Sequence, residues 1–340
     1  MNLRRTSLSC GNSGNDVNIP PDRAGRMAWR VTRRLLQAAI LCVIGWYAVA
    51  KLDWTKLSDV DLNWSWVFAA LLVHLCYLTM YLLLWQALTV LHDSAVSLPH
   101  AATIWGFSLI GKYAPLKVGM ILLRVFGYQR IGHRSKAQIA VCCYLEWFMS
   151  LYAAIIVGAI LAIFLDVQIL LPNFRFICAV LLAVLLPFLW PSILSRVFGW
   201  IFRILKLPET KVQLSLRGLI GFLAGYCAAW MVLGFSLLCA ARGVRFIQPL
   251  PWSEACMAYA LAGFLGIIAV FAPAGLGVRD GAMILLLSSQ LGVTGAVVVG
   301  VLVRVVSLLV ELAAVGGAWL SDPSLQQLLR WKGEENLNEN

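Results

Sequence analysis

The sequence predicts an all-α polytopic membrane protein with about six membrane-spanning helices and two re-entrant broken-helix hairpins in an inverted repeat. Three observations predict it. The 340-residue chain is 61% hydrophobic and only 13% charged, against roughly 25% charged in an average soluble domain. Runs of about 20 apolar residues recur from residue 35 to residue 320, the length that crosses a hydrocarbon core. Most of these runs have no polar face, which excludes a soluble helical domain. Finally, two apolar segments are broken by Pro and Gly and carry charge. Such backbone is tolerated at membrane depth only inside protein or along a water-filled cavity.

In chain order, residues 1–28 are rich in Ser, Gly, Asn, Pro and Arg and read as a disordered basic tail. The apolar segment from Leu35 has no small-residue cleavage pattern and runs into Trp46 and Tyr47, so it reads as a first span, 35–51, rather than a signal peptide. Arg23, Arg26, Arg30, Arg33 and Arg34 precede it and place the N-terminus in the cytoplasm. A loop outside the membrane with Asp53, Asp59 and Asp61 leads to a second span, 64–91. The basic stretch that follows contains two apolar pieces, 101–110 and 118–128, each too short to cross. Broken at Gly111–Gly119, they read as a hairpin entered from the cytoplasm, with an amphipathic surface helix as the alternative.

Spans at 137–165 and 176–194 come next, then a basic loop with Arg196, Arg203, Lys206, Lys211 and Arg217, then a span at 218–241. Two apolar runs, Ala255–Val270 and Ala282–Leu291, flank Phe271–Gly281. The second is too short to cross, so the pair reads as a hairpin entered from outside; a short extramembrane turn is the competing reading. The last span, 294–320, then runs inward to a cytoplasmic tail, 323–340, with Arg330 and Lys332. The membrane domain covers 29–322.

Both broken segments read A-P-x-x-x-G: Ala114–Gly119 and Ala272–Gly277. An aromatic residue precedes each (Tyr113, Phe271), and a long helix with an acid follows (Glu146, Glu311). Entered from opposite sides, they form the layout of an inverted-topology repeat, whose broken helices meet at a substrate site.

That layout makes Lys112, Pro115, Lys117, Gly119, Arg124 and Glu146 candidate substrate-binding residues in the first half. Pro273, Gly275, Gly277, Arg279, Asp280, Arg304 and Glu311 are their counterparts in the second. Arg279 and Asp280 open a half-helix, where backbone N–H groups favour anions and Arg offers a bidentate fork. Arg304 and Glu311, seven apart, share a helix face and read either as an anion-binding Arg held by an acid or as an internal ion pair. Arg124 reads best as a snorkelling surface charge. His74 reads as a hydrogen-bonded helix residue. Ala313, Gly316 and Gly317 offer a small face for helix packing.

The net charge of +11 lies mostly in loops, which points to anionic headgroups rather than nucleic acid. The nine cysteines and four histidines have no metal-ligand spacing, so neither a metal nor a cofactor is expected. No nucleotide-binding or hydrolase motif is visible. Asp59-Val-Asp61 is the strongest enzyme-like feature, as polyprenyl-phosphate-dependent glycosyltransferases use acids in such a loop.

Ala272–Leu287 resembles the P-G-G-L-G-V-R-E-G-A signature of the lysylphosphatidylglycerol synthase transmembrane-region family, which includes the flippase domain of multiple peptide resistance factors. The resemblance runs over nearly the whole chain. In the first hairpin Pro115, Lys117, Gly119 and Arg124 fit the family pattern, while Leu116 and Met120 stand where it has Gly and Glu. The resemblance implies a bacterial inner-membrane protein that moves lipids between leaflets and forms homo-oligomers. Without an aminoacyl-transferase domain after residue 320, lipid aminoacylation is not expected. The reading is a non-enzymatic, flippase-like transporter of an anionic phospholipid or lipid-linked intermediate. A glycosyltransferase using Asp59 and Asp61, or a non-catalytic subunit of an envelope-lipid assembly complex, is the alternative.

Overall fold

The computed structural model describes residues 61–113, 118–132, 135–164, 173–185, 215–269, 272 and 275–322, with isolated positions between 190 and 199. The chain is built of α-helices: α1 (Trp64–Leu91), α2 (Leu98–Ser108) prolonged by a 3-10 turn (Leu109–Tyr113), α3 (Val118–Arg130) and α4 (Lys136–Phe164). They are followed by α5 (Phe174–Leu185), α6 (Leu216–Arg242), α7 (Trp252–Ile268) and α8 (Val278–Ser321). Among the described residues the only β-type pairing is an isolated Leu62–Val244 bridge.

Four helices, α1, α4, α6 and α8, are long and apolar enough to cross a membrane, with 28, 29, 27 and 44 residues. At about 1.5 Å per residue, even the shortest exceeds a hydrocarbon core of about 30 Å. This is an all-α polytopic membrane protein. The span expected at 35–51 and both tails lie outside the described residues; of the one expected at 176–194, α5 covers the part to Leu185 and residues 186–189 lie outside the described residues.

Local sequence sets the ends of these helices. The Asn63 side chain accepts the Ser65 N–H and starts α1, and Ser215 does the same for α6 through Gly218. The Asn63 N–H donates to the Gly243 carbonyl at 2.7 Å, so the start of α1 lies beside the end of α6. These two helices therefore run antiparallel. The α8 helix is two arms, 278–291 and 293–321, joined at Gly292 (φ 67°, ψ 165°). A Cβ on Gly300 would touch Ile284 at 3.7 Å, which places the arms side by side as they fold back from Gly292.

The short helices pair into two hairpins. In the first, α2 and α3 run antiparallel: a Cβ on Gly127 would lie 2.6 Å from Ile104, and one on Gly111 would collide with the Gly119 backbone. This hairpin starts just after the C-terminal end of α1. In the second, α7 pairs with the short arm of α8, and a Cβ on Gly266 would lie 2.9 Å from that of Arg279. This one starts just after the C-terminal end of α6, so the two hairpins enter from opposite ends of the bundle. Ile104, Trp105, Phe107 and Ser108 are buried, which rules out the surface-helix reading of the first hairpin.

Close approach at glycine holds the second hairpin to α6. A Cβ at Gly234 would collide with the Cα of Cys256 on α7. Gly234→Ala is expected to cost about 1–3 kcal/mol, because overpacking forces backbone apart; an unchanged tryptophan-fluorescence melting curve would contradict this packing. The small face expected at Gly316 and Gly317 is not used this way, since a Cβ at either meets nothing described within 4 Å. Instead Gly106 on α2 supplies the close approach, its Cβ position 3.1 Å from the Ala314 carbonyl.

Candidate functional site

Two charge clusters lie inside the bundle, one closed and one partly open. The closed one joins Arg124 on α3 to Glu146 on α4. Arg124 Nη1 pairs with Glu146 Oε2, while Nη2 reaches Oε1 at 3.5 Å and Nε donates to Ser108 Oγ at 3.0 Å. The guanidinium lies 4.3 Å from the centre of the Trp85 ring, and Trp105 Nε1 donates to Glu146 at 3.4 Å. Arg124 is 1% exposed and Glu146 3%. The expectation that Arg124 snorkels at the surface is therefore corrected. Its planar fork finds a carboxylate, a hydroxyl and two indoles, which is how a buried cation is tolerated. The pair fastens the first hairpin to α4.

The open cluster is where the tips of the two hairpins come within electrostatic reach of each other, through Lys112 and Arg279. Lys112 at the first tip pairs with Glu311 on the long arm of α8, and the Tyr113 hydroxyl donates to the same Oε2 at 3.2 Å. At the second tip Gly275 and Gly277 adopt φ of 69° and 81°, the left-handed region open to glycine. They turn the chain into the short arm, where the Gly277 N–H donates to Asp280 Oδ2 at 3.3 Å. Arg279 reaches Asp280 Oδ1 at 3.4 Å and lies 5.8 Å from the Tyr259 ring centre. Arg279 and Arg304 both lie within electrostatic reach of Lys112 and Tyr259, and His74 on α1 within reach of Lys112, Arg279 and Glu311. Lys112, Arg279 and Arg304 face Glu311 and Asp280, three cations against two carboxylates, so the cluster carries one surplus positive charge. The side chains of Lys112 and Glu311 are 21% and 15% exposed, unlike the sealed Arg124–Glu146 pair.

The structure thus gathers Lys112, Arg279, Asp280, Arg304 and Glu311 in one place, with Gly275 and Gly277 shaping the second tip and Gly119 packed under the first. It separates Arg124 and Glu146 from them. Glu311 pairs with Lys112, not with Arg304 one face along its own helix. The N-terminus of the short arm, expected to hold an anion, is capped by the chain's own Asp280 carboxylate. Pro115, Lys117, Pro273 and Asp59 lie outside the described residues. Asp61 is 2.8 Å from Arg245, in an exposed pair that ties the two chain segments at that end of the bundle. Among the described residues, no group of three or more His, Cys, Asp or Glu side chains is placed to hold a metal ion.

His74, expected to be a hydrogen-bonded helix residue, is 2% exposed with no hydrogen-bond partner at Nδ1 among the described residues, so that reading is corrected. The available signal was its register: His74, Tyr77, Tyr81 and Trp85 fall on one face of a strongly apolar span.

An apolar cavity of about 450 Å³ runs beside the second hairpin, between α4, α5, α7 and the short arm of α8. Ile155, Cys178, Leu261, Phe264, Ala282 and Leu285 are among its walls. Ala282 is one helical turn past Arg279, so the cavity starts close to the charged cluster. No protein-family model matches this chain, and no curated protein is significantly similar to it.

Proposed function

We propose that this membrane protein moves a lipid with an anionic headgroup between leaflets, as its resemblance to the flippase-type transmembrane family implies. The observation that carries the reading is that two hairpin tips, entering from opposite ends, come within electrostatic reach at a cluster with surplus positive charge. A phosphate-bearing headgroup needs cations that are neither sealed nor fully solvated, and Lys112, Arg279 and Arg304 meet that need. The apolar cavity that begins one turn from Arg279 gives an acyl chain a place to lie. Transport in this reading involves no covalent step. The setting is a bacterial inner membrane, with both termini cytoplasmic and homo-oligomers formed in the bilayer.

Lipid retained by detergent-purified protein gives a first test. The wild type should retain anionic phospholipid above its abundance in the membrane, and Arg279→Ala should bring retention down to that abundance. Equal retention by both would count against the cluster as a headgroup site.

A further inference from the structure

The face of α1 that crosses the core is aromatic and polar, and it links the two charge clusters. Trp85 Nε1 donates to Tyr128 OH at 2.9 Å beside the Arg124–Glu146 pair. Tyr81 OH lies 2.6 Å from Ser150 Oγ, and its ring is 4.7 Å from that of Tyr77. Tyr77 meets His74 edge-on at 5.4 Å, and His74 lies within electrostatic reach of Lys112, Arg279 and Glu311 in the open cluster. A buried imidazole nitrogen with no partner is unfavourable unless another state of the protein gives it one. The charged groups that reach His74 are Lys112 at the first tip and Arg279 and Glu311 on α8. Tyr77 meets it on α1. Arg304 and Asp280 complete the cluster these groups belong to, and Tyr81, Tyr226 and Tyr259 lie behind Tyr77 and the cluster.

We propose that His74 is a proton-binding site that couples proton binding to occupation of the open cluster by an anionic headgroup. The proposal rests on the lipid reading above. With the cluster empty, Lys112 and Arg279 oppose a positive imidazole and Glu311 is held by Lys112. A headgroup that draws Lys112 and Arg279 to itself frees Glu311 and adds negative charge beside His74. A proton from water then binds the Nδ1 lone pair, an O–H bond breaking as the N–H bond forms, and the new N–H donates to Glu311 or to the headgroup. Nothing is oxidised or reduced. Release of the headgroup returns the proton to water. One added attraction between unit charges about 6 Å apart, at an effective dielectric near 20, tightens headgroup binding on the order of 100-fold. By reciprocity, headgroup binding strengthens proton binding by the same factor.

The test uses full-length protein in phosphatidylcholine nanodiscs, titrated with short-chain phosphatidylglycerol and followed by intrinsic tryptophan fluorescence at pH 5.5 and pH 8. Wild type is expected to bind at both values, several-fold tighter at pH 5.5, while His74→Gln binds alike at both with the wild-type pH 8 affinity. Binding that keeps its pH dependence in His74→Gln overturns the proton site and leaves the lipid reading standing. Absence of binding at either pH overturns both. Should His74→Gln fail to fold, a chain with His92, His100 and His133 replaced by Gln leaves one imidazole for NMR. A ring that does not titrate between pH 5 and 9 with the lipid present overturns the proposal.

Discussion

Glu146→Gln is expected to leave the protein without a stable fold. The substitution strands the Arg124 guanidinium, 1% exposed, against a neutral amide under Trp85 and Trp105. Breaking a buried pair from one side costs about 3–5 kcal/mol, a large part of the roughly 5–15 kcal/mol that holds a folded domain together. Tryptophan-fluorescence melting and size-exclusion chromatography should show a lowered transition and aggregated material. Replacing both partners, as Arg124→Met with Glu146→Leu, should recover much of the loss, because no unpaired charge remains buried. A single variant as stable as wild type would show that the pair is solvated, contrary to its burial here.

Neutralising a cation of the open cluster is expected to change lipid choice rather than folding. Lys112→Gln or Arg279→Gln takes the cluster from one surplus positive charge to none. At an effective dielectric near 20, one charge about 6 Å from a headgroup phosphate is worth on the order of 100-fold in affinity. The ratio of initial transport rates for phosphatidylglycerol over phosphatidylcholine should fall by at least 10-fold in either variant. Stability should fall less than in Glu146→Gln, because the Lys112–Glu311 pair is partly solvated, at 21% and 15% side-chain exposure. An unchanged ratio would remove these cations from headgroup recognition.

The spans at 64–91, 137–165 and 218–241 were legible because an unbroken apolar run of that length has few alternatives to crossing a bilayer. The hairpins were legible for the opposite reason: Pro and Gly stand where apolar pieces are too short to cross. Side-chain partners were much less so. Glu311 and Tyr113 are 198 residues apart, and no periodicity within one helix predicts that a distant tip, not Arg304, would take the acid. Arg124 sits among Lys112, Lys117 and Arg130, so local charge density suggested surface exposure; only the packing of α3 on α4 reveals Glu146 as its partner. The capping role of Asp280 was hidden too, since a D after R at a helix start reads equally as cap or ligand.

Lipid transport by this protein is measured most directly as leaflet movement of fluorescent anionic and zwitterionic lipids in liposomes holding the purified protein. Movement above empty liposomes is expected, faster for the anionic lipid and lost in Arg279→Ala that still elutes as folded protein. Movement equal to that of empty liposomes under symmetric and pH-gradient conditions, or movement untouched by Arg279→Ala, would contradict lipid transport through the open cluster.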